Sequence, residues 1–534
     1  MVDEPQSALP TDGPIAPRRI LATALLALLA ACPRERSASS AEELLPKTAQ
    51  GALVTAPLAG MAQNASALLS RASQLPGGEQ LGDWRRAVAA QLGFDPFSRD
   101  GQLAAGLDPD RSAALVLSPE ARTAWIAAVP LTRPEVFSQT VDRLLRERAA
   151  FAVRQDEARG KVRVGVYSRE GQRERVAFAV VRGYGVLARG DDPGAQIGAA
   201  AALPRESSLA QDERITAARQ QLGAQDLTFV APSGSVLIQR FFPQPLPGDL
   251  AVGLTGTAEG LSSKLFFQAA PEQAQRMKSS LPGGAGALVR FLPRDAPLVA
   301  RFGLQPADTV REARRIPELA ELLARVGDDV SNDIAASLLP GAAFSIDLRP
   351  GANLAALVDF GFLEWHKRSP LETFQVVALA PVADRSRLER AFERAAKALT
   401  SVGAQATRAS TGWQVRYPAG EGPRFGIRDL GGKPVAYLVG GGITPEQLGV
   451  TTSRAPVLEQ DQGASLQIDL GRLATRVRAF PESAYGSGPQ AYVARSLISQ
   501  VIEPLAPLRV SAAAIPRDEG LRAEIDVAIA PGKP

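Results

Sequence analysis

The sequence predicts an α+β fold of two tandem, related domains, each an antiparallel-rich sheet with packed helices. Three observations carry that prediction. Signals recur in the same order about 250 residues apart. Runs with a period of two follow one another across turn residues, as hairpin partners do. Amphipathic stretches of helical period lie between them. The composition, 45% hydrophobic and 22% charged, is that of a globular chain and excludes a wholly disordered or collagen-like one.

The chain opens on an address. Arg18-Arg19 precede the apolar run Ile20–Ala31. As a helix this run spans about 18 Å at ~1.5 Å per residue, short of the roughly 20 residues that cross a bilayer. A basic flank, a short apolar core and small residues at its end form a secretory signal, so residues 1–31 are expected to be cleaved. Leu29-Ala30-Ala31-Cys32 resembles a bacterial lipobox, and Cys32 is the chain's one cysteine. The resemblance implies that Cys32 becomes the lipidated first residue. More than one acyl chain, at ~0.8 kcal/mol per buried methylene, anchors a protein stably. Pro33, standing where inner-membrane lipoproteins often carry Asp, favours the outer membrane, with the body facing the periplasm. Residues 32–43, rich in serine, read as a flexible tether.

Two copies of one pattern follow, expected over 44–280 and 288–534. Leu45-Pro46-Lys47 opens a strand at Ala52–Ala56, as Leu292-Pro293-Arg294 opens one at Leu298–Phe302. Helical stretches come next in each copy. Asp108-Pro109 then leads into strand Ala113–Leu117, and Leu339-Pro340-Gly341 into Ala343–Leu348. Strand Trp125–Val129, Pro130 and the helix face Phe137, Val141, Leu144 parallel Phe374–Ala380, Pro381 and Leu388, Phe392, Ala395. Hairpins follow, with Val162, Val164 and Val166 alternating in one copy and Trp413, Val415 and Tyr417 in the other. Each copy closes alike, Gly260-Leu261 through Pro271 matching Gly520-Leu521 through Pro531. The join is expected near Leu281–Ala287. This organisation resembles a family of duplicated α+β exported bacterial proteins, often lipoproteins, with no established activity. The resemblance implies a fold and an address only.

No catalytic constellation emerges. With one histidine and one cysteine, a Cys/His metal site and a His-dependent triad lack their residues. His366 reads as an exposed or capping residue. Gly440-Gly441-Gly442 is followed by no Walker lysine; its counterpart, Arg189-Gly190-Asp191-Asp192-Pro193, is acidic, and the two share only a helix start, Thr444-Pro445 and Asp192-Pro193. Ser262-Ser263-Lys264 lacks the Ser-x-x-Lys spacing, and Asp328-Asp329 reads as a helix cap. No catalytic residue, metal or cofactor is expected, an envelope hydrolase being the lesser exception. A net charge of +4 without a basic cluster argues against nucleic acid.

One asymmetry stands out. Six residues, Ser118–Thr123, join the strands of the first copy, whereas 349–372 join those of the second. This insert carries Leu354, Leu357, Val358, Phe362 and Trp365 at helical spacing, a candidate interaction surface for an envelope protein or lipid. The function expected is that of a lipid-anchored, non-enzymatic binding or scaffold module; the alternative is a periplasmic carrier of a lipid or other apolar ligand.

Overall fold

The computed structural model describes residues 38–47, 49–117, 124–235, 248–316, 320, 323–324, 326–354, 369–401, 403–418, 420–449, 456–459 and 461–530. Cys32 and the signal residues before it lie outside these, as do Leu357, Val358, Phe362, Trp365 and His366. Among the described residues no helix is long and apolar enough to cross a membrane.

The first half contributes β1 (Gly51–Pro57), β2 (Ser112–Leu117), β3 (Trp125–Pro130), β4 (Val153–Arg159), β5 (Val162–Ser168), β6 (Arg175–Val181), β7 (Tyr184–Gly190), β8 (Leu227–Ala231), β9 (Asp249–Gly256) and β10 (Gly260–Gln268). The second contributes β11 (Leu298–Phe302), β12 (Ala342–Leu348), β13 (Phe374–Pro381), β14 (Gln405–Ala409), β15 (Gly412–Tyr417), β16 (Gly420–Leu430), β17 (Lys433–Gly440), β18 (Ala464–Asp469), β19 (Leu508–Arg517) and β20 (Gly520–Ile529). The helices are α1 (Leu58–Ala72), α2 (Glu79–Leu92), α3 (Arg99–Ala104), α4 (Pro134–Arg143), α5 (Pro193–Ala201), α6 (Glu213–Leu222), α7 (Pro271–Ser280), α8 (Pro306–Ala313), α9 (Asp328–Ala336), α10 (Arg385–Ser401), α11 (Pro456–Glu459), α12 (Leu470–Ala479) and α13 (Pro489–Leu505).

The strands pair in the order β4-β5-β6-β7-β3-β2-β1-β8-β9-β10 in the first half and β14-β15-β16-β17-β13-β12-β11-β18-β19-β20 in the second. Each order is the other advanced by ten. The halves do not form separate sheets, however. β10 pairs with β20 from Gly260↔Ala528 to Gln268↔Gly520, giving one twenty-stranded antiparallel sheet. Matched positions face each other at Lys264↔Glu524, so a pseudo-twofold axis passes between them. The bond from the Ile529 amide to Glu259 O, 2.7 Å, repeats that from Ala269 to Glu519 O, 2.9 Å. Each last strand thereby satisfies the other's open edge. The outer edges are protected by charge, with Arg154, Asp156, Glu157 and Arg159 on β4 and Arg408 on β14.

The ladder corrects one match made from sequence. Ala52 pairs with Val230 and Val116; in the second half Val299 pairs with Gln467 and Ser345. Ala52 therefore corresponds to Val299, not to Leu298. A one-residue slip along an apolar strand changes little in composition but turns every side chain to the wrong face.

Apolar cores line both sides of the sheet. On one side of the first half, Val54, Val164, Ala177, Val186 and Phe266 pack with Ile197 of α5 and Ala218 and Leu222 of α6. On the other, Phe137 of α4 meets Phe178 of β6, ring centroids 5.8 Å apart. The second half repeats this with Phe392 of α10 on Phe425 of β16, at 5.2 Å. Close packing leaves no room for a side chain on Gly185, where a Cβ would stand 2.9 Å from the Phe137 ring.

The tether ends earlier than expected. Ala38 and Ala41 are buried in the first core, and Arg111 donates to Ala38 O at 2.6 Å. The join near Leu281–Ala287 is strapped down rather than loose. Gly284 N donates to Asp461 O at 3.1 Å, Ala285 is buried, and Gly283, at φ +99°, lies too close to Asp461 O for any Cβ.

Candidate functional site

Because the halves share a strand order, each is a control for the other: what one carries and the other lacks is not required by the fold. The largest difference lies between β18 and β19. There the second half inserts α12, a 3-10 turn (Glu482–Tyr485) and α13. Asp469 starts the excursion by capping α12, accepting from the Arg472 amide at 3.0 Å. Gly486 and Gly488 turn the chain at positive φ, and Pro489 begins α13 at a position where its missing N–H costs nothing.

The two segments peculiar to the second half meet here. The Leu354 amide donates to Ala484 O at 2.7 Å, and its side chain is fully buried among Tyr485, Ala491, Ala494 and Ile498. Leu354 is therefore core, not an interaction surface, which corrects that expectation. It supports α13 from beneath. The outer side of α13 presents Val493, Leu497, Val501 and Leu505 at four-residue steps, 53%, 46%, 60% and 39% exposed, with Tyr492 beside them. Sequence reading missed this ridge because α13 is apolar on too broad an arc to show which side is covered.

A second feature adjoins the excursion. An open cleft of about 980 Å³ lies where β19 and β20 end, lined by Arg71, Glu259, Asp295, Asp469, Arg472, Arg476 and Arg509 among others. Asp469 is buried and holds Arg509 at 2.8 Å and Arg472 at 3.4 Å. Beneath the cleft, buried Asp347 meets Arg476 at 3.2 Å and accepts from the Leu348 amide at 2.8 Å. Burial holds the Asp347 carboxyl above the usual carboxylate range despite Arg476. Among the described residues Arg71 donates only to a neutral group, Ile529 O, at 3.0 Å. In the first half the ladder matches Asp469 with Pro232 and Arg509 with Asp249. Asp249 there accepts from the Ser233 amide at 2.8 Å instead. Among the described residues the charged set belongs to one half alone.

The core shows the same divergence. Arg301, wholly buried, stands where the first half has Val54. It donates to Ser465 Oγ (3.3 Å), Gly463 O (3.2 Å) and Gln462 O (3.0 Å), and burial lowers its pKa. Buried serines 345 and 465 replace Val116 and Thr228.

Other motifs resolve into structure. The glycine-rich turn after β17 leads to a short 3-10 turn, Pro445–Gln447, where the Thr444 amide donates to Gln447 Oε1 at 2.9 Å. Its counterpart starts α5, Asp192 accepting from the Ala195 amide at 3.0 Å. Ser262, Ser263 and Lys264 lie in β10. Asp328 begins α9 and meets Arg314 at 2.8 Å.

No protein family, curated protein or solved structure matches the chain.

Proposed function

We propose that this is a lipid-anchored envelope protein, held through Cys32 and facing the periplasm, that serves as a non-enzymatic binding or scaffold module. Its two halves are read as tandem related domains fused through β10 and β20, the first maintaining the frame and the second adapted for contact. The observation that carries the reading is the exposed apolar ridge of α13, on an excursion over 470–507 where the first half has the shorter stretch 232–248. Exposed apolar surface in a contiguous row marks contact sites. The carrier alternative gains no support from the cleft: it is open, and guanidinium and carboxylate groups stand among its apolar lining, whereas an apolar ligand needs an apolar enclosure.

Two measurements test the reading. Palmitate labelling of cells expressing the protein should mark it, and Cys32→Ser should abolish the mark. Leu497→Asp and Val501→Asp together should leave the melting curve unchanged while removing the protein's cross-links to other envelope components. Cross-linking at wild-type levels in the double variant would overturn the contact role of α13.

A further inference from the structure

The cleft beside the excursion has a charge arrangement that the fold does not explain. Among the described residues three guanidiniums, those of Arg71, Arg472 and Arg509, have between them a single carboxylate, Asp469, and Arg71 has none of its own. Arg476 is matched by Asp347 below. On the rim, the carboxylates of Glu259 and Asp295 are exposed and make no hydrogen bond or ion pair among the described residues. The cleft lining thus carries two guanidinium charges without a paired carboxylate and two carboxylates without a paired cation among the described residues. Asp469 is buried and fixes two of them, Arg472 donating also to Arg294 O at 2.8 Å. Guanidinium forks held this way suit a tetrahedral oxyanion, which accepts paired N–H bonds. A phosphate monoester carries about two negative charges at neutral pH, and the diester of a lipid headgroup carries one.

We infer that the cleft binds a phosphate–ammonium zwitterion of the phosphoethanolamine kind, the phosphate on Arg71, Arg472 and Arg509 and the ammonium on Glu259 and Asp295. The site is independent of the α13 ridge, and either can fail alone. The same chemistry occurs free in solution and as a lipid headgroup. The counterpart end of the sheet junction, a smaller hollow of about 570 Å³, has Glu272 and Arg276 as its charged lining. It has no guanidinium set of this kind.

The test is calorimetric titration of O-phosphoethanolamine into the full-length protein anchored in phosphatidylcholine vesicles. Saturable binding is expected, at least about tenfold tighter than that of inorganic phosphate or ethanolamine. Arg509→Gln should weaken it about tenfold, the scale of one charge-assisted pair. Glu259→Gln, on an exposed turn that does not threaten folding, should weaken it severalfold. Repeating the titration with phosphatidylethanolamine in the vesicles separates the sources: loss of the binding heat identifies the lipid headgroup, and unchanged heat identifies a free ligand. The inference is overturned if no saturable binding occurs at millimolar concentrations, if inorganic phosphate binds equally well, or if both variants bind as wild type does.

Discussion

Asp347 provides a sharp check on the view that the second half carries charges its fold does not need. The carboxylate is buried, with one half-exposed arginine, Arg476, 3.2 Å away. Its other partner is the amide of Leu348 at 2.8 Å. Asp347→Asn retains an oxygen for that amide and removes the charge. Losing one partner of a buried pair is normally costly because the other is stranded. Here the partner reaches solvent, and the position favours the neutral carboxyl over the carboxylate. The variant is therefore expected to be more stable at pH 7 by about 1 kcal/mol, the low end of what replacing a buried ion pair yields. The pH dependence follows from linkage. With the folded pKa above the unfolded value, the folded state holds the extra proton, so the wild type's stability from this group is complete below the ordinary Asp pKa and is lost as pH rises through the folded value. The advantage of the Asn variant should accordingly be largest at pH 7 and vanish as pH falls into the ordinary Asp range. Melting curves of both proteins at pH 7 and pH 4 measure this. A variant less stable than wild type at pH 7, or an advantage that grows on acidification, would refute the reasoning.

Three further outcomes are expected. Arg301→Val copies Val54 of the first half but takes a donor from the buried Ser465 hydroxyl and from Gln462 O, Gly463 O keeping the Gly303 amide; a loss of about 1–3 kcal/mol is expected in urea unfolding, the scale of one unsatisfied buried group. Gly185→Ala drives a methyl into the Phe137 ring, 2.9 Å away, and should cost about 1–3 kcal/mol as an overpacked core does, with Phe137→Leu in the same chain recovering part of it. Leu497→Asp lies on the exposed ridge and should shift stability by no more than about 0.5 kcal/mol, which thermal melting checks directly.

The repeat was legible because secondary structure leaves periodic marks. The alternation of Leu521, Ala523, Ile525 and Val527 identified β20, and Pro130 and Pro381 fixed where a strand hands over to a helix. What escaped was relation across distance. Nothing local in β10 or β20 reveals that each completes the other's edge, since a half-polar strand looks the same beside a partner or beside water. Register escaped for a related reason, as Ala52 matches Leu298 or Val299 about equally well by type. At the site, isolated arginines are invisible in a chain rich in them; Arg71 and Arg509, 438 positions apart, become neighbours of one cleft only through the sheet junction. Leu354 was misassigned because helical spacing identifies an apolar face without saying which way it turns. The ridge of α13 was missed although Val493, Leu497, Val501 and Leu505 stand at steps of four, because Ala494 and Ile498 between them are apolar too.

The central claim is that the second half's helical excursion is the contact face of an anchored module. It is tested most directly by placing a photo-activatable cross-linker at Leu497 in the full-length protein in its native envelope, with the same probe at Thr407 on the far edge strand as reference. The account expects a discrete, saturable adduct from position 497, abolished by Val501→Asp, and none from position 407. Adducts of equal yield from both positions, or none from 497 while the protein is correctly anchored, would contradict it.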